Sequence, residues 1–383
     1  MATIHYFAYG SNMLTERLRA RCASAKSRHV AYAHDWTLTF SKRSQDGSGK
    51  ATISPAAGRR VFGVVFNLDE SELSELDRFE GVGKGYDRKD DFLVHIADSK
   101  EPLNVVTYIA NPSHIDTNLE PFDWYLSLVV IGTRQHKFPP EYASSLEATP
   151  SKIDPKTDRE SRREALELLG MKPLPDDTRI AGKKTVADWT AMRDRLTRDT
   201  GPAPWKDAFD DFFKTRLESR YFGPIRAIEK LDENAGEGFA IVALHCSLIE
   251  FLAATLKGKT YKYQRRGKPP LGPFEYSNSS DMFIEFLESA APFKTMFSKA
   301  GTALNFYRSV RCGLLHEART KGNWKIRVCE SATRAIDVEE MVVCRNKMQE
   351  AFDQFVDWYG RQLPIDTALQ QAFIRKFDSL CQE

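Results

Sequence analysis

Few cysteines, little net charge and no long apolar run exclude several classes of protein before any motif is read. The six cysteines, Cys22, Cys246, Cys312, Cys329, Cys344 and Cys381, are scattered, with no CxxC pair and no metal-ligand spacing with histidine. A disulfide framework and a zinc ribbon are set aside, no metal is expected, and the pattern predicts reduced thiols in a cytoplasm. The formal net charge of +2 supplies no global basic field, so any surface facing nucleic acid must be local. No stretch approaches the ~18 consecutive apolar residues of a membrane span. The first apolar run begins at Ile4, leaving no room ahead of it for a basic region, an apolar run and a cleavage site. Cytoplasmic localisation without membrane association is the expectation. Repeats and low-complexity runs are also lacking. What is present is a globular composition, 42% hydrophobic and 28% charged, over 383 residues, enough for two domains with separate cores.

The first segment with chemical content is Tyr6-Phe7-Ala8-Tyr9-Gly10-Ser11-Asn12-Met13. Ile4 to Tyr9 reads as a buried strand, and Met13-Leu14 opens a helical spacing through Leu18. Gly10 admits backbone geometry closed to other residues, and Ser11 and Asn12 are good helix caps. The first amides of such a helix attract a carboxylate or phosphate. Read alone, the turn is equally a plain strand–helix corner. Strand signals follow at Trp36 to Phe40, Ala51 to Pro55, Val61 to Phe66 and Asn104 to Ala110, with turns between them. Glu70 to Phe79 has helical spacing, with Leu73, Leu76 and Phe79 on one side, and Trp124 to Ile131 is a second apolar helix. Glu80 closes the first of these helices, before the loop Gly81 to Gly85. Partial burial there would make its carboxylate a better proton acceptor at neutral pH. As an isolated residue it reads first as a solvated helix-end glutamate.

Taken in order, YFAYGSNM, WTLTF, VFGVVF, LDRFEGV with Tyr86-Asp87-Arg88, VVTYIA and PFDWYLSLVVIG resemble the gamma-glutamylcyclotransferase-like (AIG2-like) family over roughly residues 4–145. The resemblance implies a small mixed β-barrel flanked by helices, with a cavity between the YGSN turn and the glutamate. It implies that Tyr9, Gly10, Ser11 and Asn12 hold the α-carboxylate and amino end of a γ-glutamyl group. Glu80 would be the general acid/base and Tyr125 a pocket tyrosine. The implied reaction closes the substrate's own α-amine onto its γ-carbonyl, giving 5-oxoproline and a free amine with no cofactor. Lys42, Arg43, Lys84 and Arg88 lie nearby in sequence, either to serve an acidic ligand or simply to be solvated.

Residues 146–200 are polar and charged and are expected to be a linker with short helices. From residue 201 to 383 helix follows helix: Trp205 to Glu229, Gly238 to Leu256, Ser280 to Phe297, Ala300 to Thr320 and Glu339 to Tyr359, with a short strand pair around Trp324 to Val328. At about 100° per residue, Phe306, Tyr307, Val310 and Leu314 face a core. Asn305, Arg308, Cys312, His316 and Arg319 gather opposite, with Arg311 on the flank. Histidine among arginines suits a phosphodiester, and a solvated basic face has the same pattern. Arg311, four residues, then His316 within VRCGLLHEAR resembles the HEPN signature, over roughly residues 205–360. Glu250 resembles the polar member of that family's acidic helix, and Cys312 stands where the family often has a polar residue. The resemblance implies an all-α bundle, a homodimer through that bundle, and metal-independent RNA cleavage or RNA binding. In such a site His316 would be acid/base, Arg311 would hold phosphate, and Glu250 and Arg308 would support them.

The expectation is therefore an α+β protein. A γ-glutamyl cyclotransferase-type barrel (1–145) would be joined to a helical HEPN-like domain (201–383), in the manner of a bacterial toxin or defence effector. The alternatives are a ligand-sensing first domain, or a helical domain that only dimerises a metabolic enzyme.

Overall fold

In the computed structural model, which describes residues 2–96, 99, 101–198, 201–231, 236–264 and 270–383, the chain divides into two units. One comprises Met1–Lys172 with Tyr263–Glu275, the other Pro173–Lys262 with Tyr276–Glu383.

The first unit is built on five strands, β1 (Thr3–Ala8), β2 (Lys26–Arg43), β3 (Gly49–Asp69), β4 (Tyr86–Ile96) and β5 (Leu103–Ala110). They close in the order β1-β3-β2-β4-β5, and a parallel pairing at Tyr6 and Val106 joins β5 to β1. β1 therefore has neighbours on both sides, which explains its almost unbroken apolar run. The β2–β3 ribbon carries three register shifts, which bend two long strands around a small barrel. Five helices accompany the sheet: α1 (Thr15–Arg19), α2 (Leu73–Glu80), α3 (Asp123–Gln135), α4 (Pro140–Glu147) and α5 (Glu160–Leu168). Helix α3 is buried from Asp123 to Thr133. Gly132 lets it lie directly on the segment after β1, since a Cβ there would come within 2.8 Å of the Met13 Cβ and 2.9 Å of the Leu14 nitrogen. Of the three apolar residues expected on the buried side of α2, Leu76 is buried, whereas Phe79 is 40% exposed beneath the guanidinium of Arg21.

The stretch 146–200 is not an extended connector. Helix α5 belongs to the first unit, where Ala165 and Leu169 join the barrel core. A two-stranded sheet and the helix Val186–Arg198 belong to the second, where Trp189 and Arg193 are buried and both donate to Asp378. Both helices are the short ones expected within the linker, and their apolar positions bury them, each in its own unit.

The second unit has helices over 203–229, Glu237–Lys257, Ser279–Ser289, 302–317, Arg345–Gln362 and Thr367–Leu380. They pack around Phe212, Phe213, Phe283, Phe306, Phe352 and Phe373. The last helix is absent from the sequence reading, although Asp366 caps it and Ala372, Phe373, Ile374 and Phe377 have core spacing. Nor is the unit all-α: Lys325–Arg327 runs parallel to Val342–Cys344, which pairs antiparallel with Ile336–Asp337. That sheet also corrects the expectation of reduced thiols throughout, because it brings Cys329 to Cys344 and the two form a disulfide. Cys22, Cys246, Cys312 and Cys381 are free. The expectation that no segment approaches a membrane span is corrected as well. Among the described residues Glu237–Lys257 is long and apolar enough to cross a membrane, at mean hydropathy 2.0; 56% of that window is buried within the protein.

Candidate active site

Glu80 is the last residue of α2, and its position is fixed from both sides. Gly81 adopts φ 72°, ψ 49°, the left-handed geometry that stops a helix at little cost only in glycine. Its amide and that of Val82 return to the Asp77 carbonyl at 2.9 and 3.0 Å. The Asp77 carboxylate accepts from Arg88 of β4 at 2.5 Å and from the Tyr108 hydroxyl of β5 at 2.8 Å, tying the helix to the barrel wall. Arg88, left open by the sequence, is thus a structural partner of Asp77 and Asp90. Arg43 pairs with Asp116 at the surface, and Lys84 is exposed.

Across from Glu80, β1 ends in a short 3₁₀ turn, Ser11–Met13, and α1 starts only at Thr15 with Leu14 as its N-cap. Ser11 and Asn12 are therefore not helix caps, and a five-residue helix offers little dipole. Their side chains are spent on the site instead. Asn12 Nδ2 donates to Glu80 Oε1 at 2.6 Å and to the Tyr6 hydroxyl at 3.0 Å. Ser11 Oγ accepts from Arg17 Nε at 3.2 Å. Arg21 Nη1 donates to Asn12 Oδ1 at 3.0 Å and pairs with Glu80 Oε1 at 3.2 Å, with side chains only 18% and 15% exposed. Glu80 Oε2 makes no hydrogen bond among the described residues. Gly10 is required for space rather than for unusual torsions: its φ is −111°, and a Cβ would meet the Ala51 Cβ at 3.1 Å and the Tyr125 hydroxyl at 3.5 Å.

Between turn and carboxylate lies a cavity of about 30 Å³, bounded by Gly10, Ser11, Asn12, Ala51, Glu80 and the tyrosines 6, 9, 86, 108 and 125. Tyr86 donates to the Ala51 carbonyl at 2.6 Å and Tyr125 accepts from the Ala51 amide at 3.1 Å, so both rings grip one peptide of β3. The Tyr9 hydroxyl donates to the Tyr108 carbonyl. Burial raises the pKa of Tyr6, Tyr9, Tyr86 and Tyr108 well above that of an ordinary phenol and raises that of Tyr125, and the Glu80 charge adds to it in each. The wall is therefore made of neutral hydroxyl donors. Outside it, Lys50 pairs with Asp46 at 2.9 Å and lies 4.6 Å from the Tyr125 ring centre; burial pushes it down to about 8. Lys42 sits 4.8 Å over the Tyr86 ring, its pKa lowered by burial and partly restored by Glu80. A larger cleft of the same unit, about 590 Å³ and lined by Thr37, Arg59, Glu120 and Tyr142 among others, contains none of the expected site residues.

Thus Tyr9, Gly10, Ser11, Asn12, Glu80 and Tyr125 meet in one cavity. Sequence reasoning missed Tyr6, Tyr86, Tyr108, Arg17 and Arg21. Tyr6 lay inside the quoted segment, and Arg17 and Arg21 are four residues apart, a spacing that places both on one side of a helix. Among the described residues no group of three or more metal-ligating side chains converges.

In the second unit, Arg311 Nη2 lies 3.5 Å from Glu250 Oε2, and Glu250 also accepts from Tyr276 at 3.2 Å and Ser279 at 2.7 Å. The helix is not uniform: Tyr307–Arg311 is π-helical, which changes the phase of the residues around it relative to a 100° plot. Arg311, plotted on a flank, faces the Glu237–Lys257 helix, while Arg308, His316 and Arg319 are exposed. The helix ends at Glu317 rather than Thr320, because the chain turns back onto Gly313, where a Cβ would come within 2.5 Å of the Arg319 carbonyl.

A family model described as gamma-glutamyl cyclotransferase, AIG2-like, matches residues 6–126. The Gamma-glutamylcyclotransferase of Mus musculus is 36% identical over 154 residues, covering 38% of this chain and 78% of that protein. The Homo sapiens protein of the same name is 36% identical over 151 residues, covering 37% and 77%. A solved structure of a Gamma-glutamyl cyclotransferase is 28% identical, with a TM-score of 0.40, and covers 43% of this chain and 99% of that one.

Proposed function

Since this chain belongs, through its first unit, to the gamma-glutamyl cyclotransferase, AIG2-like family, we propose that it converts a γ-glutamyl amine into 5-oxoproline and the free amine. Glu80 Oε2 takes a proton from the substrate's α-ammonium, which cannot attack while protonated. The freed amine closes on the γ-carbonyl carbon, a new C–N bond forms, and the bond to the leaving nitrogen breaks. Across the whole reaction two protons leave the attacking nitrogen and two reach the leaving one, which departs as an ammonium; Glu80 carries them. The hydroxyls of Tyr6 and Tyr125, which accept from Asn12 and the Ala51 amide and keep their own protons, are suited to the oxyanion formed in between. Holding the chain curled supplies a large share of the rate, because the attack is intramolecular. The observation that carries this reading is Asn12, from the turn, donating to Glu80 across a tyrosine-lined cavity. The test is 5-oxoproline release from a panel of γ-glutamyl amino acids by the purified chain. Release from at least one is expected, and none from any would overturn the reading.

For the second unit we infer RNA cleavage or binding by Arg311 and His316, in a homodimer that brings two such pairs into one cleft. Support comes from Glu250, which meets Arg311 as the HEPN resemblance implies. RNA incubated with the chain in EDTA is expected to be cut by the wild type and not by His316→Ala. If neither cuts but both bind equally, the unit only binds RNA. If neither cuts nor binds, the inference is wrong.

A further inference from the structure

We propose that Arg17 is the buried counter-charge that makes the site select substrates bearing an α-carboxylate, acting through Ser11. The inference rests on the lactam-forming reading above and names what sets its substrate class. Arg17 is only 7% exposed, and among the described residues its hydrogen bond is the one from Nε to Ser11 Oγ at 3.2 Å. Two other cations around the cavity are matched, Arg21 with Glu80 and Lys50 with Asp46, and Lys42 lies over the Tyr86 ring as a ring contact. No carboxylate pairs with Arg17 among the described residues. Burial, with Arg21 nearby, pushes its pKa down to about 10, so it stays charged at neutral pH, and the charges of Glu80 and Glu164 offset only part of its desolvation cost because neither carboxylate is in contact with it. A ligand anion at the turn would offset it.

Ser11 transmits the effect. Its oxygen accepts from a guanidinium, so its own proton points elsewhere, into the cavity wall beside the Tyr125 hydroxyl, where a ligand carboxylate would compete for it. Arg17 thus fixes Ser11 as a donor and places a positive charge behind it. The α-ammonium goes to Glu80 on one side of the cavity, and the α-carboxylate goes to Ser11 on the other. A positioning role of this kind belongs to binding rather than to proton transfer.

The test compares two anilides that can both cyclise: γ-glutamyl anilide, giving 5-oxoproline, and 4-aminobutyryl anilide, which lacks the α-carboxylate and gives 2-pyrrolidinone. For Arg17→Gln, kcat/KM on the γ-glutamyl substrate is expected to fall by about 30–100-fold, mainly through KM, as for loss of a buried charge partner. The 4-aminobutyryl reaction should change by less than about threefold, so the discrimination ratio collapses. Arg17→Lys, which keeps the charge and a similar volume, should recover at least about tenfold of the loss and serves if the glutamine variant does not fold. An equal fall on both substrates, or an unchanged ratio in the folded variants, would overturn the inference and leave Arg17 a purely structural residue. Cyclisation of neither anilide and of no γ-glutamyl amino acid by the wild type would overturn the lactam reading, and this inference with it.

Discussion

Glu80→Gln is expected to lower 5-oxoproline formation by about 10²–10⁴-fold, the usual range for removing a general acid–base group. That is about 3–5 kcal/mol of transition-state stabilisation. Glutamine keeps the shape and the oxygen that accepts from Asn12 and Arg21, so the turn, Arg21 and α2 stay in place. It cannot take a proton from an ammonium at neutral pH. The loss should therefore fall mainly on kcat, with a smaller rise in KM from the lost charge that meets the α-ammonium, because Ser11 and the turn around it are untouched. Single-turnover assays with a γ-glutamyl amino acid, alongside circular dichroism to verify the fold, read this directly. A variant that retains more than about a tenth of wild-type kcat would remove Glu80 from the chemistry. RNA cleavage by the second unit should be unaffected, because its proposed residues lie in a separate unit.

The second large effect is on stability. His245 lies in the Glu237–Lys257 helix, wholly inaccessible to solvent and 5.1 Å from the Phe352 ring centre. Neither ring nitrogen has a well-formed hydrogen bond among the described residues; Gln349 gives its Nε2 to Asp353 at 2.9 Å, and its buried Oε1 is the one polar neighbour that favours the protonated ring, a smaller effect than burial. Burial lowers its pKa from 6.5 to about 4. The sign follows from proton counting. Between those two values the unfolded chain binds a proton that the folded chain refuses, so acid favours unfolding. Stability is full above pH 6.5 and is lost as pH falls towards 4, by about 3 kcal/mol from this residue at about 1.4 kcal/mol per pH unit. Urea melts of the second unit's transition at pH 7, 5.5 and 4.5 should show this loss in the wild type. His245→Leu, of similar size and without polar atoms, should lack that component and gain about 1–3 kcal/mol at pH 7 by removing unpartnered nitrogens. Parallel pH curves for the two proteins would show that the imidazole finds a partner on protonation.

Much of the first unit was legible along the chain, and the reason is local. Tyr9, Gly10, Ser11 and Asn12 are consecutive, and Glu80 is followed at once by Gly81, whose positive φ ends the helix where the carboxylate is needed. Strand and helix signals for β1, β3, α2 and α3 reside in short runs of apolar spacing, which local sequence records. The second unit was less legible. Helix Val186–Arg198 is expected only as part of a linker, whereas its Arg193 and Trp189 are buried and donate to a carboxylate 185 and 189 residues away. A π turn displaced the phase of the helix carrying Arg311.

Neighbours a few positions apart settle most elements of the first unit, the turn, the end of α2 and hence which residues are candidates. Only the tertiary structure decided what those residues do. Closure of the barrel through β1 and β5, 100 residues apart at Tyr6 and Val106, brings the turn to the tyrosines. Asp77 docks α2 so that Glu80 meets Asn12 across 68 positions, Arg21 occupies that carboxylate, and Arg17 is left buried without one. Charge pairing and desolvation depend on distance in space, and no spacing along the chain encodes them.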